Sequence, residues 1–395
     1  MTDRLQNYDD LDRTQRNVPR EQVDWALIDR RRSVFCLRAN FVWSAVISAS
    51  TGSMLFGLNT AVLNTVGDHI ASEFHWCGDD EREVDCARGK LLKTLASTAV
   101  FLGAAVSASL CGSAVARFGL RTSTLSVMLF FFVGIIASCC ANSFSSLLFA
   151  RLTVGLGVGA ISGITPNYIA EMTPAKSRGR FGVLHQIVVV GSQLLTMILG
   201  LCFIAIPDQS SATSATWRLP LRNKIWWRVM LAVPLIPTAL SVLYFGVVLK
   251  CETPSYYAAR GDVEDAELVL KRIYGGKDVQ SEVAAVAPPP SGGGSWGGRE
   301  YWHSLVVGVG VALFQQFTGI NAFITNSNSL FKEAGLSSET ATYASIGVTA
   351  ANVLATVVPL LALDRVGRRP LLVYGAVGMT LSTLPAAVAY WLEWE

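Results

Sequence analysis

Long apolar runs alternate with short polar segments along most of the chain. Nine runs each come close to the roughly 20 apolar residues that a helix needs to cross a bilayer. In chain order, these predicted spans are residues 41–63, 91–115, 123–141, 147–170, 181–206, 226–249, 305–323, 341–363 and 371–391. Because backbone polar groups find no water in the hydrocarbon core, such runs favour helices. The pattern predicts an all-α, polytopic membrane protein.

The polar segments divide the chain into four predicted parts. Residues 1–38 carry eight Arg but no apolar core, so we expect this segment not to be a secretory signal peptide. Residues 262–274 predict an amphipathic helix, and residues 285–298 form a Pro/Gly/Ser linker. The predicted parts are a cytosolic tail at 1–38, a six-helix bundle at 39–249, a cytosolic helical segment and linker at 250–300, and a partial bundle at 301–395.

The composition changes the range of possible functions. Hydrophobic residues make up 51% of the chain, charged residues only 15%, and the mean hydropathy is +0.41. A soluble domain averages about 25% charged residues. The net charge of +3 is too small to indicate nucleic-acid binding. Since no nucleophile–base set, phosphate-binding loop or metal-ligand spacing is present either, we expect no enzyme activity, no cofactor, no metal and a lipid bilayer as the surroundings.

The Lys and Arg residues predict the orientation in the membrane. The segments on the side of the N-terminus hold 22 of these cations, and the segments on the opposite side hold 9. Cytosolic loops are the ones enriched in Lys and Arg. We therefore expect the N-terminus in the cytosol, and the plasma membrane as the location. With nine spans, Glu395 would then lie outside.

Two short patterns recur six predicted spans apart. Residues 117–121 and 365–369 both read Arg-x-Gly-x-Arg, and each follows the second span of its set. Residues 57–59 and 319–321 both read Gly-x-Asn. Two matches with the same offset predict a duplicated six-helix unit, an arrangement in which transporters bind their substrate between the repeats.

Several longer motifs point to a family. They are Arg151 with the Gly run 155–159, Pro166-Asn-Tyr168-Ile-Ala-Glu171, Arg178-Gly179, Gln186, Gln315-Gln316-Phe-Thr-Gly319-Ile-Asn321 and Asp364-Arg-Val-Gly-Arg-Arg369. Across residues 41–391 the chain resembles the sugar porter family of the major facilitator superfamily. In residues 325–328 it is similar to hexose transporters of apicomplexan parasites. The resemblance implies a major facilitator fold, with nine of an expected twelve helices present.

The resemblance also implies a hexose site. In these relatives, the matching positions that hydrogen-bond a hexose are here Gln186, Gln315, Gln316, Asn321 and Asn352. Side-chain amides both donate and accept, which suits the hydroxyls of a sugar. The alternative interpretation is that they join helices to one another. Gln193 follows Gln186 by seven residues and lies on the same helix face. For Gln193 two roles remain open: it lines the sugar cavity, or it contacts a neighbouring helix.

A set of charges at the predicted cytosolic ends is a second candidate site. In the relatives such charges pair across helix ends and hold the inner face shut. The candidates are Glu171, Arg117, Arg121, Arg178, Glu252, Asp364, Arg365, Arg368 and Arg369. Orientation by positive charge alone is the simpler explanation. The carboxylates favour the gate, because the orientation rule requires no acids.

The sequence also bears on how transport is driven. Related symporters carry an Asp where this chain has Asn59, and His185 is the only titratable candidate for proton coupling within a predicted span. Proton coupling needs a titratable group in the membrane. We therefore predict a passive hexose uniporter working by alternating access. The alternatives are a proton-coupled sugar symporter and a non-transporting protein that senses sugar or serves as a partner.

Two further predictions concern small residues. Cys77 and Cys86 share a predicted extracellular loop, where a disulfide is stable.

Gly155, Gly159 and Gly163 recur every four residues, a stripe that allows a neighbouring helix to approach closely.

The six-span offset leads to a last expectation. Predicted span four carries the Glu171 cluster, and no counterpart follows residue 391. We therefore expect a truncated sequence that does not transport by itself.

Overall fold

The computed structural model describes residues 41–78, 86–203, 219–274, 279, 282–283 and 299–393. The predicted N-terminal tail 1–38 and the predicted linker 285–298 lie outside these residues. Within the described ranges, all regular secondary structure is helical.

Residues 41–248 form what we call the first helical group. Its helices are α1 Phe41–Glu73, α2 Ala87–Phe118, α3 Leu120–Cys139, α4 Phe144–Glu171, α5 Arg178–Gly200, α6 Leu221–Ala232 and α7 Leu235–Leu243, which ends in a π-helical turn, Tyr244–Val248. Two short helices follow, α8 Pro254–Ala259 and α9 Val263–Ile273. The latter is the predicted amphipathic helix.

Residues 299–393 form the second helical group. Its helices are α10 Arg299–Phe317, α11 Ile320–Glu333, α12 Ser338–Val366 and α13 Arg368–Glu393. Eight helical stretches of the described chain are long and apolar enough to cross a membrane. Nine spans were predicted, and α13, which holds the ninth, is not among these eight. Several of its side chains lie outside the described residues.

Two predicted spans are interrupted rather than continuous. The span expected at 305–323 breaks at Gly319 and continues through α11 to Glu333. Gly319 has φ +71°, a left-handed conformation that glycine adopts without steric cost. The span expected at 226–249 breaks between α6 and α7, where Pro234 supplies no backbone N–H for a continuous helix. Apolar periodicity does not mark either break.

The helices α2 and α4 pack at very short range because both present glycine. A Cβ on Gly155 would lie 2.3 Å from the Val100 carbonyl oxygen, and one on Gly159 would lie 2.1 Å from that of Ala104. At Gly163 the nearest atom would be 3.9 Å away, so the predicted stripe makes close contact only at its first two positions.

The two helical groups meet through four helices. In the first group, α1 packs along α5 and α4; across the boundary, α12 packs against α5 and α11 against α1. We call the end that holds Phe41, Gly119 and Glu252 the N-terminal face. The opposite end, with Cys77 and Cys86, is the disulfide face. A polar contact between the groups near the disulfide face is described next.

Candidate functional site

Four of the six predicted sugar-binding amides lie on helices that border the boundary between the two groups. Gln186 and Gln193 are on α5, Asn321 is on α11 and Asn352 is on α12. Since α12 packs on α5 and on α11, three of the four helices that carry the amides are neighbours. Gln315 and Gln316 are on α10, which packs closely against no other helix of the described chain.

The amides differ in exposure. Gln186, Gln315 and Gln316 are exposed, whereas Asn321 and Asn352 are half-buried. Asn321 Nδ2 donates to Gln316 Oε1 at 3.3 Å, which links α11 to the end of α10 across the break at Gly319. That Gln186, Gln315, Gln316, Asn321 and Asn352 together form one hexose site stays a prediction.

Gln193 is the most buried of the predicted amides, with 5% of its surface exposed. Its Nε2 donates to Thr60 Oγ1 on α1 at 3.4 Å. Its Oε1 has no hydrogen-bond partner among the described residues. A buried carbonyl oxygen of this kind can accept a hydrogen bond from a ligand hydroxyl, while its amide nitrogen holds α5 to α1.

A cavity of about 280 Å³ opens between the groups near the disulfide face. None of the predicted amides lines it. Its wall consists of Thr65, Asp68, His69, Gly200, Leu201, Phe203, Asn328, Lys332, Ser338, Glu339, Thr342 and Tyr343. The lining combines acids, a lysine, hydroxyls and aromatic rings, so the cavity is suited to water and polar solutes.

Polar residues beside this cavity join α1 to α11 and α12. Asn64 Nδ2 donates to Ser327 Oγ at 2.8 Å. The Asn328 backbone N–H donates to Asn64 Oδ1 at 3.2 Å, and Asn328 Nδ2 donates to the Asn64 carbonyl oxygen at 3.1 Å. Ser345 Oγ on α12 donates to Asn328 Oδ1 at 2.8 Å. All four residues are buried, and together they close the boundary at this depth.

Three charges form what we call the ion cluster. Asp68 Oδ1 accepts from Lys93 Nζ at 2.5 Å, and Asp68 Oδ2 accepts from Lys332 Nζ at 2.7 Å. Lys93 is on α2, in the same group as Asp68, but Lys332 belongs to α11. Asp68 lies beyond the predicted span 41–63, in the part of α1 that continues to Glu73. The polar residues that continue the helical pattern beyond residue 63 were the available signal.

At the N-terminal face, Glu252 and Arg121 stabilise the first group through backbone atoms. The Glu252 carboxylate accepts the N–H groups of Arg121 at 3.0 Å and Thr122 at 2.9 Å, and the Thr122 hydroxyl at 2.8 Å. Arg121 Nε donates to the carbonyl oxygens of Phe245 and Leu249. Glu252 therefore caps the start of α3, and Arg121 satisfies carbonyls at the end of the π-helical turn.

A tyrosine supports this cap. The Tyr257 hydroxyl on α8 accepts the backbone N–H of Glu252 at 3.1 Å. Burial raises the pKa of Tyr257 above its ordinary value.

The other predicted gate charges are placed less tightly. Arg117, Arg178 and Arg369 are exposed, and the Arg117 carbonyl oxygen accepts from Arg260 at 2.9 Å. Glu171 is half-buried, and its Oε2 has no hydrogen-bond partner among the described residues. The side chains of three predicted members lie outside the described ones: Asp364, Arg365 and Arg368.

The disulfide face is covalently reinforced. Cys77 and Cys86 form a disulfide, and Cys86 Sγ accepts the Gly89 N–H at the start of α2. At the same face Glu73 accepts from Arg228 at 2.9 Å and from Trp227 Nε1 at 2.6 Å, joining α1 to α6. In the part of the chain that the structure describes, no group of three or more His, Cys, Asp or Glu side chains could hold a metal ion.

This arrangement defines a polytopic membrane transporter with a major facilitator fold. A structure of the proton:xylose symporter XylE bound to 6-bromo-6-deoxy-D-glucose superposes with a TM-score of 0.76 at 26% identity, covering 90% of this chain and 76% of that one. The E. coli xylose transporter XylE in a partially occluded inward-open conformation gives 0.67 at 25% identity, covering 89% and 80%.

Sequence comparisons identify the family. A family model described as sugar (and other) transporter matches residues 45–395. Hexose transporter 1 of Plasmodium falciparum is 32% identical over 355 residues, which are 87% of this chain and 69% of that protein. Hexose transporter 1 of Toxoplasma gondii is 33% identical over 357 residues, 87% of this chain and 62% of that protein. The chain belongs to the sugar transporter family of the major facilitator superfamily; it is an integral membrane sugar transporter and not an enzyme.

Proposed function

We propose that this protein carries a hexose across its membrane by alternating access, as a passive uniporter. The choice of a hexose is supported by the amides on the boundary helices and by the relatives, which are named hexose transporters. Gln193, with one amide atom bonded and the other available, and the Asn321–Gln316 pair supply donors and acceptors for sugar hydroxyls.

One observation carries the choice of uniport. The Arg151 guanidinium on α4 is 1% exposed and donates to the Asn59 carbonyl oxygen on α1 at 2.6 Å. The Asn59 side chain is a neutral amide that donates to the Leu55 carbonyl oxygen of its own helix. An acid in place of Asn59, as in related symporters, would give Arg151 a partner that gains and loses a proton. Here the side chain at that position does not titrate.

The proposal includes the orientation in the membrane. The N-terminal face lies in the cytosol, which agrees with the 22 Lys and Arg residues on that side against 9 on the other. The disulfide face lies outside the cell, where the Cys77–Cys86 bond is stable. The plasma membrane satisfies both conditions.

A proton-coupled symporter is the second candidate, and two observations favour it. His185 Nδ1 lies 2.6 Å from Ser53 Oγ, so a titratable ring joins α5 to α1 inside the membrane. The structural neighbour XylE is named as a proton:xylose symporter.

Hexose uptake into proteoliposomes separates these candidates. The sequence-based expectation is that this chain does not transport by itself, whereas the uniport proposal predicts that the chain, reconstituted at equal pH on both sides, equilibrates radiolabelled hexose. An imposed proton gradient should then leave the final level unchanged. Accumulation above equilibrium that a protonophore abolishes would overturn uniport. A His185→Gln variant that then loses only the gradient dependence would identify the proton-binding group.

A third outcome concerns transport itself. No uptake, combined with hexose binding detected by tryptophan fluorescence, would replace the proposal by a sugar-binding protein that does not transport. If neither uptake nor binding of hexose is observed, the hexose assignment is refuted.

A further inference from the structure

Asp68 connects the two helical groups through two lysines with different origins. Lys93 approaches from α2 of the first group, to which Asp68 also belongs. Lys332 approaches from α11 of the second group. If the groups separate at the disulfide face, Lys332 moves away with α11, whereas Lys93 remains with Asp68. The cluster therefore contains one permanent partner and one that a conformational change can remove.

Lys93 is fitted to its position by local packing. Its stem passes over Gly67 of α1, where a Cβ would lie 2.8 Å from Lys93 Cδ and 3.1 Å from Lys93 Cγ. Because Gly67 has no side chain, the Lys93 side chain has the space to extend across α1 to the neighbouring Asp68. This contact lies entirely within the first group, so it does not depend on where the second group stands.

The burial of the three side chains gives these contacts energetic weight. Their exposed fractions are 17% for Asp68, 14% for Lys93 and 20% for Lys332. A shielded carboxylate without a cation is costly, but Asp68 keeps Lys93 when Lys332 leaves. When Lys332 separates from Asp68, water can hydrate its ammonium group, because both residues line the polar cavity together with His69 and Glu339. Opening is therefore possible without leaving a buried charge unpaired.

We propose that Asp68, Lys93 and Lys332 control the extracellular gate, by which we mean the contact between the two helical groups at the disulfide face. Lys332 holds the groups together through Asp68, and Lys93 weakens that attraction. The proposal rests on the alternating access proposed above. Both lysines are attracted by the same carboxylate, and their like charges repel each other. Removing Lys332 should therefore favour the open gate, and removing Lys93 should favour the closed one.

An exposed ion pair nearby provides a matched control. Lys90 Nζ on α2 lies 2.9 Å from Glu333 Oε1 on α11, so this pair also spans the boundary. Its side chains are 45% and 55% exposed, and exposed pairs contribute little. A Lys90→Gln variant should leave the gate nearly unchanged although it removes the same charge between the same two helices.

The test measures gate opening directly. Spin labels are placed on Cys202, exposed at the end of α5, and on an Ala334→Cys variant at the end of α11. The other cysteines outside the 77–86 bond are replaced. Pulsed electron paramagnetic resonance on the full chain in liposomes without sugar then gives the populations of short and long label distances.

Lys332→Gln should raise the ratio of long to short distances about fivefold or more, and Lys93→Gln should lower it. Asp68→Asn should also raise it, and thermal unfolding of each variant identifies any loss of folding. If both lysine variants shift the ratio in the same direction, or neither shifts it, the cluster is only a structural ion pair and the proposal fails. Because no sugar is used, opposite shifts in a protein without hexose uptake would retain the gate and reject only the transport function.

Discussion

Asn64 and Asn328, which are 264 residues apart, make two hydrogen bonds to each other across the boundary between the helical groups. Each residue uses a backbone group and a side-chain group: the Asn328 N–H meets the Asn64 side chain, and the Asn328 side chain meets the Asn64 carbonyl oxygen. This reciprocal arrangement fixes the register of α11 along α1. Neither contact would survive a shift of one residue.

Asn328→Ala should destabilise the protein by about 1–3 kcal/mol, because the Asn64 carbonyl and Ser345 hydroxyl each lose a buried partner. Thermal unfolding in detergent measures this. Asn326→Ala is the control, since its side chain bonds only the Ala322 carbonyl of its own helix, as far as the described residues show. Equal losses of stability in the two variants would show that the contact of Asn328 across the boundary does not stabilise the protein more than a hydrogen bond within one helix.

Gly155→Ala should cost about 1–3 kcal/mol of folding free energy, because the added Cβ would lie 2.3 Å from the Val100 carbonyl oxygen and force α2 away from α4. Gly163→Ala, in the same helix and the same stripe, has space for the methyl group. It should be neutral or stabilising by up to about 1 kcal/mol, since alanine is the better helix former. The unfolding curve should therefore shift to lower stability for Gly155→Ala but not for Gly163→Ala, and equal losses would contradict the close-packing explanation.

Glu252→Ala should cost about 1.5–3 kcal/mol, the usual contribution of hydrogen bonds to a charged group, because the N–H groups at the start of α3 lose their acceptor. Glu252→Gln should recover part of this, as the amide oxygen still accepts. Glu267→Ala removes an acid whose ion pair with Lys271 is about one-third exposed, and it should change stability little. A Glu252→Ala protein as stable as the Glu267→Ala protein would refute the capping role.

Replacement of Cys77 and Cys86 by serine should lower stability by about 2–3 kcal/mol, the chain-entropy contribution of a bond that closes a loop of this size. The measurement compares thermal unfolding of the variant with that of the parent protein, each with and without a reducing agent. The reducing agent should destabilise the parent protein but leave the double variant unaffected. Sensitivity of both proteins would indicate that a different bond is being reduced.

Gln316→Ala should weaken hexose binding by about 1–3 kcal/mol, or roughly 5- to 150-fold in Kd, because a sugar hydroxyl and Asn321 would lose a partner. Equilibrium binding of radiolabelled hexose to the purified protein measures it. Asn142→Ala, at an exposed position in the turn before α4, is the matched amide control and should bind normally. Unchanged binding in the Gln316 variant would remove this residue from the proposed site.

The positions of the transmembrane helices could be predicted from the sequence, but their interruptions could not. Apolar runs located α2 to α5 and α12 to within a few residues. Nothing in hydrophobic periodicity distinguishes the break at Gly319 from the many glycines that remain helical, such as Gly155. The difference depends on whether neighbouring helices leave the backbone free to turn, which is a property of the packed protein.

The charged sites show the same division. Glu252 and Arg121 were identified as members of a charge network, yet their side chains bond backbone groups rather than each other. The helical pattern that continues beyond residue 63 includes Asp68, but it does not predict the partners of Asp68, which are 25 and 264 residues away. Distant pairs become visible only when α1, α2 and α11 are placed side by side.

The sequence alone determined that this chain is a helical membrane protein of the sugar transporter class, because a bilayer requires long apolar helices and the motifs at their ends are specific. Only the tertiary structure decided which polar groups bond within one helical group and which bond across the boundary between the groups. A hydrogen bond or an ion pair depends on distances of about 3 Å between atoms, and the packing of α11 and α12 onto α1 and α5 sets those distances.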